Sequence, residues 1–166
     1  MAEKLDEVYS LLIPVAEGKL LLPRLAVAEV TGLSRTEAAG AGAPDWLLGH
    51  VRWQDRKIAV VSFEALCGRP APAITHRARL MVVHAIGGRL SEQAFGLVIQ
   101  GYPYLVRVNA NILKASENGE AAWTGPVLAR PQMANEKPMI PDVEAIEERL
   151  AESGVRNSGP GVRGEL

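Results

Sequence analysis

Between Val8 and Val108 the chain alternates short apolar runs with glycine, proline and charged breaks. The runs are too short for most globular helices and are rich in Val, Ile and Leu, which predicts strands. They fall at Val8–Ile13, Lys19–Leu22, Ala26–Thr31, Leu47–Trp53, Lys57–Phe63, Arg79–Ala85, Ala94–Ile99 and Tyr104–Val108. Gly18 suits a hairpin turn between the first two. Ser34–Pro44, with Gly40 and Gly42, reads as a loop with room for one helical turn. Gly68–His76, with Pro70 and Pro72, reads as the linker between two lobes.

The periodicity changes near the C-terminus. From Pro141 to Leu150 the residues Val143, Ile146 and Leu150 share one helical face. Asp142 can cap this helix, and Glu144, Glu147 and Glu148 sit toward the positive end of its dipole, on what reads as a solvated face. Gly154 marks a stop, and residues 155–166 lack apolar periodicity and read as disordered. Residues 1–7 form an N-terminal tail, leaving 8–154 as the folded domain, with lobes at about 8–68 and 77–150.

A weak repeat runs through this pattern. Lys57–Leu66 aligns, 80 residues on, with Lys137–Ile146. Each copy passes from a charged turn through an apolar strand to a Ser or Asp cap and a helix. Gly49-His50-Val51 and Gly125-Pro126-Val127 precede the copies at slightly different spacing.

Composition narrows the function classes. The chain has 166 residues, enough for one domain or two small lobes on a shared core, and is 48% apolar. A formal charge of −1 gives no field for collecting nucleic acid or anionic lipid. The single cysteine, Cys67, excludes an internal disulfide and fits a reducing compartment. The N-terminus lacks the basic and long apolar regions of a signal peptide, and no window suits a membrane span. These features predict a cytoplasmic protein without direct membrane insertion.

Motifs for chemistry are missing. His50, His76 and His84 have no metal-ligand spacing, and Cys67 has no basic neighbour in sequence to activate it. Gly40-Ala41-Gly42 and Gly87-Gly88 do not fit phosphate loops, and the second pair suits a hairpin turn. No cofactor is expected. Arg52, Arg56 and Lys57 cluster with Trp53, but Asp55 interrupts them, which argues against a nucleic-acid platform.

The stretch PDWLLGHVRWQDRKIAVVSFEAL resembles the first-lobe signature of CheW-like chemotaxis coupling proteins. That signature runs Pro, an acidic residue, apolar residues, Gly-x-x, Asn-Leu-Arg-Gly, and an apolar strand closing on Asp-Leu. Pro44, Asp45 and Gly49 match it. Arg52-Trp53-Gln54-Asp55 occupy the Asn-Leu-Arg-Gly stretch, and Ser62-Phe63 the Asp-Leu. Ala28-Glu29-Val30, Arg77–Val83, Phe95–Gly101 and Met139–Ile146 continue the similarity across residues 8–150. The resemblance implies a mainly β fold of two five-stranded, SH3-like β-barrel lobes sharing a hydrophobic core, with short helices and a C-terminal helix. It also implies a non-catalytic adaptor. Its partners would be the regulatory domain of a CheA-type histidine kinase and the cytoplasmic tip of a methyl-accepting chemoreceptor, with localisation at membrane-anchored receptor arrays. The family's arginine and glycine are here Gln54 and Asp55, and the aspartate of the second lobe is Gln100. Those departures suggest a divergent accessory member, and the overall similarity suggests one serving surface motility through type IV pili.

The expected docking residues are Val27, Glu29, Val30, His50, Arg52, Trp53, Gln54, Asp55, Arg56, Leu97 and Val98. Trp53 is an aromatic anchor or a core residue, Glu29 a partner contact or an edge charge. Val27, Val30, Leu97 and Val98 are expected to line a groove between the lobes. An SH3-like module outside chemosensing, or a small enzyme built around His50, His84 or Cys67, are the alternatives.

Overall fold

A computed structural model describes residues 7–33, 36–109, 114–115, 125–133 and 136–153. Gly154 and the tail at 155–166 lie outside the described residues, as do residues 1–6 of the N-terminal tail. The fold is mainly β. The strands are β1 (Val8–Val15), β2 (Gly18–Pro23), β3 (Val27–Gly32), β4 (Glu37–Ala38), β5 (Leu47–Trp53), β6 (Arg56–Val61), β7 (Arg79–His84), β8 (Ala94–Ile99), β9 (Tyr104–Val108), β10 (Lys114–Ala115), β11 (Val127–Ala129), β12 (Pro131–Gln132) and β13 (Ile140–Pro141). A single helical turn, α1 (Phe63–Leu66), follows β6, and α2 (Val143–Glu152) follows β13.

Six strands form one sheet in the order β3-β7-β8-β6-β5-β4, antiparallel except for the parallel pair β6–β8. A second sheet runs β2-β1-β9. Reciprocal backbone bonds between Leu21, Met139 and Lys19 join its β2 edge to the segment entering β13, which pairs with β11. The sheets cross the expected lobe division. β1 and β2 sit with β9 and β13, while β7 and β8 join the strands of the first half.

Burial follows this exchange. The largest apolar cluster draws Ile13 and Leu20 from one sheet, Met81, Phe95 and Leu97 from the other, and Phe63, Ile146 and Leu150 from the helices. It is the shared core. Val51, Ile58, Leu80, Val82 and Val98 make a second cluster within the six-stranded sheet, and Leu12, Leu21 and Val108 of the other sheet make a third with Met133, just after β12. Every residue of β8 is buried, because this central strand is covered on both faces.

The repeat holds at the level of hydrogen bonds. Ser62 Oγ accepts from Ala65 N and Asp142 Oδ1 from Ala145 N, so both helices open on the same cap. Ser62 N donates to Trp46 O at 2.9 Å and Asp142 N to Pro126 O at 2.8 Å. Leu47 pairs with Val61 and Gly49 with Val60, while Val127 pairs with Pro141 and Ala129 with Ile140, so the bulge recurs at the same offset. At the tips, Trp53 pairs with Arg56 and Met133 with Glu136. This register corrects the glycine alignment: Gly49 corresponds to Ala129, not to Gly125.

Three other expectations change. Phe63 leaves the predicted strand Lys57–Phe63 because the Ser62 cap turns it into α1, where it is fully buried. Glu147 is not on a solvated face but is 0% exposed. Its carboxylate accepts Gly87 N at 3.0 Å and Arg89 N at 3.1 Å, so α2 pins the loop between β7 and β8. A Cβ at residue 87 would fall 2.6 Å from Arg89 Nη1 and 2.8 Å from Glu147 Oε1, so a larger residue there would have to displace these side chains. Gly87-Gly88 is therefore part of an anchored loop, not a bare hairpin turn.

Candidate protein-docking site

The β5–β6 hairpin turns on Gln54 and Asp55, both in the left-handed region with φ of 47° and 64°. Flanked by the Trp53–Arg56 pair, this is the geometry of a two-residue type I′ turn, for which Asn-Gly is the preferred sequence. The chain meets that demand without a glycine.

Three contacts fix the side chains around the tip. Trp53 Nε1 donates to Glu29 Oε1 at 2.9 Å. The Arg56 guanidinium lies 5.2 Å from the centre of the Trp53 ring, within cation–π range. Arg56 Nη1 also donates to Glu92 O at 2.8 Å, tying the hairpin to the turn before β8. Trp53 is half-buried, with part of its ring against the second apolar cluster. It packs on one side and is exposed on the other.

Beside this clamp lies an open concavity of about 790 Å³. Six expected residues meet there: Val27, Glu29, Val30, Trp53, Gln54 and Arg56. Leu11, Arg24, Leu25, Ala28, His84 and Gln93 complete the lining, and sequence reasoning did not single them out for this role. Leu25 is 89% exposed and adds an apolar side chain to the rim of the concavity. The signal available in sequence was Arg24-Leu25 beside the expected third strand.

The remaining expected residues lie elsewhere. His50 and Arg52 face the other side of the β5–β6 ribbon, with Glu37 and Lys57. Asp55 stands exposed at the tip. Leu97 is 1% exposed in the shared core, so it does not line the groove. Val98 is 4% exposed and reaches a separate apolar hollow of about 450 Å³ beside Leu48 and Ile74. Both belong to the doubly covered strand β8, and neither lines the groove beside Trp53.

The electrostatics argue against Cys67 as a nucleophile. Burial, followed by the Glu64 charge, pushes the Cys67 thiol up to about 11, which suppresses the thiolate a nucleophile needs. Burial, then the Lys57 charge, lowers the His50 pKa. The hydrogen bond from Lys57 lowers that of Glu37. At the second tip, Lys19 Nζ lies 3.0 Å from Glu136 Oε1 and Tyr104 OH donates to Glu136 Oε2 at 3.2 Å. The Glu136 tip is thus engaged internally, whereas the first tip borders the open groove.

Comparison with known proteins fits this geometry. The solved structure of the scaffolding protein TtCheW from Thermoanaerobacter tengcongensis superposes with a TM-score of 0.68, covering 85% of this chain and 88% of that one at 14% identity. No curated protein matches the sequence significantly. The family model of the CheW-like domain matches residues 10–149. The chain belongs to the CheW-like domain family, whose members are non-catalytic scaffolds of chemotaxis signalling.

Proposed function

We propose that this protein is an accessory coupling adaptor that links a methyl-accepting chemoreceptor to a CheA-type histidine kinase. The observation that carries the reading is the groove beside the Trp53 clamp, where six of the expected docking residues converge. The receptor's cytoplasmic tip lies in this groove, against Leu25, Val27 and Trp53. The kinase regulatory domain pairs with an exposed end of a lobe through apolar contacts. Aromatic and arginine side chains held in a fixed geometry bind with little loss of rotamer entropy, which suits Trp53 and Arg56 as anchors.

The altered tip sets this chain apart from standard coupling proteins. Gln54 supplies no charge where the family carries arginine, so receptor contact falls more on Trp53 and Arg56. On this reading the protein serves a chemosensory system of type IV pili, beside membrane-anchored receptor arrays. No described helix is long and apolar enough to cross a membrane. Deleting the gene and scoring twitching against swimming tests the pilus setting.

The site is tested by titrating a receptor-tip fragment and a kinase regulatory domain against the wild type and Trp53→Ala, with circular dichroism as a folding control. The expected result is receptor affinity lowered about tenfold, the scale of one interface hot spot. Unchanged affinity for both partners would overturn the groove assignment.

A further inference from the structure

The outer face of the β5–β6 ribbon carries its own charge pattern. Arg52 and Lys57 are directly opposed in the strand register, and His50 lies two residues along β5 on the same face. Like charges opposed across an antiparallel pair weaken it. Lys57 is compensated by Glu37, whose carboxylate lies 2.9 Å from Lys57 Nζ. Arg52 is exposed and makes no hydrogen bond or ion pair among the described residues. Glu37, His50, Val51, Arg52 and Lys57 enclose a concavity of about 280 Å³.

Glu37 comes from an unusual element. β4 has only two residues, both exposed, and it covers β5 only at Gly49 and His50. A Cβ at residue 49 would collide with the Glu37 carbonyl, so glycine lets this short strand close on the bulge. The ribbon thus holds one carboxylate from its own chain on Lys57 and leaves the neighbouring guanidinium open.

We propose that the Arg52–Lys57 face is a second docking surface that takes an acidic peptide segment of a protein partner. Glu37 is the internal carboxylate with which that segment competes. Arg52 offers a planar fork suited to bidentate carboxylate binding, and Lys57 adds a second cation beside it. A nucleic-acid strand fits less well. Glu37 adds negative charge at the face, and Trp53, the nearby stacking ring, is turned toward Glu29 and the groove. Exposed ion pairs are individually weak and salt-sensitive, so this contact acts with the groove by raising effective concentration. The surface is separate from the groove, and its test does not depend on what the groove binds.

The test is fluorescence anisotropy at low and physiological salt, with a fluorescein-labelled peptide of alternating Glu and Ser and its Gln counterpart. Wild type is expected to bind the Glu peptide in a salt-dependent way. Arg52→Ala weakens binding about fivefold and Glu37→Gln tightens it about threefold, the scale of single exposed charge contacts. Trp53→Ala binds the peptide like the wild type, separating this face from the groove. The proposal is overturned if the wild type shows no saturable binding, or if the Gln peptide binds equally. Arg52→Ala having no effect, Glu37→Gln weakening binding, or a single-stranded oligonucleotide binding more tightly than the peptide would each overturn it too.

Discussion

Trp53 donates its indole N–H to the Glu29 carboxylate at 2.9 Å, joining the end of β5 to β3, which is not its neighbour in the sheet order. The six-stranded sheet curls far enough for that contact, and the groove opens beside it. Glu29 therefore holds the orientation of the Trp53 ring. Replacing it with alanine is expected to shift the Trp53 indole N–H resonance while costing about 1 kcal/mol or less, because the bond is exposed. An unchanged indole resonance would show that the two side chains are not coupled.

Asp55 holds a left-handed conformation, with φ of 64°, at a position where glycine is inexpensive. Asp55→Gly is expected to raise stability by about 1 kcal/mol in denaturant unfolding. No gain would mean that aspartate fits the turn as well as glycine does.

The buried Glu147 carboxylate satisfies the backbone N–H groups of Gly87 and Arg89. Glu147→Ala leaves two donors without their acceptor, and a loss of about 3 kcal/mol is expected. Glu147→Gln keeps one acceptor oxygen and loses less. Equal, small losses for both variants would place the carboxylate outside the stabilising network.

Burial, then the nearby Lys57 charge, lowers the His50 pKa below its ordinary value of 6.5. The unfolded chain then takes up a proton more readily than the folded one. His50's contribution is intact above about pH 6.5 and is lost as the pH falls through the lower folded value. Denaturation curves for wild type and His50→Gln are expected to run in parallel above that pH and to diverge below it, with the wild type losing more. Parallel curves throughout would remove His50 from the pH response.

Much of the fold was legible because strand patterns are local. Leu47–Trp53, Ala94–Ile99 and Tyr104–Val108 were placed to the residue, because each is a compact, mainly apolar run. The Lys57–Leu66 echo proved to share caps, bulge and tip register with its second copy. The short strands β4, β11 and β12 left no periodicity to read. Glu147 looked solvated because its partners lie 58 and 60 residues away. The same separation hid Arg24, His84 and Gln93 from the groove, and a continuous apolar run could not show that Leu97 and Val98 are covered on both sides. The family resemblance supplied Glu29 and Trp53. Their direct contact became visible only in the fold.

On the proposed function, one copy of this chain holds receptor and kinase together. Sedimentation velocity of the chain mixed with a receptor-tip fragment and a kinase regulatory domain reads this out. The expected result is a boundary containing all three, with the receptor fragment lost from it when Trp53 is replaced by alanine. Mutually exclusive binding of the two partners, or sedimentation of all three as separate species, would overturn it.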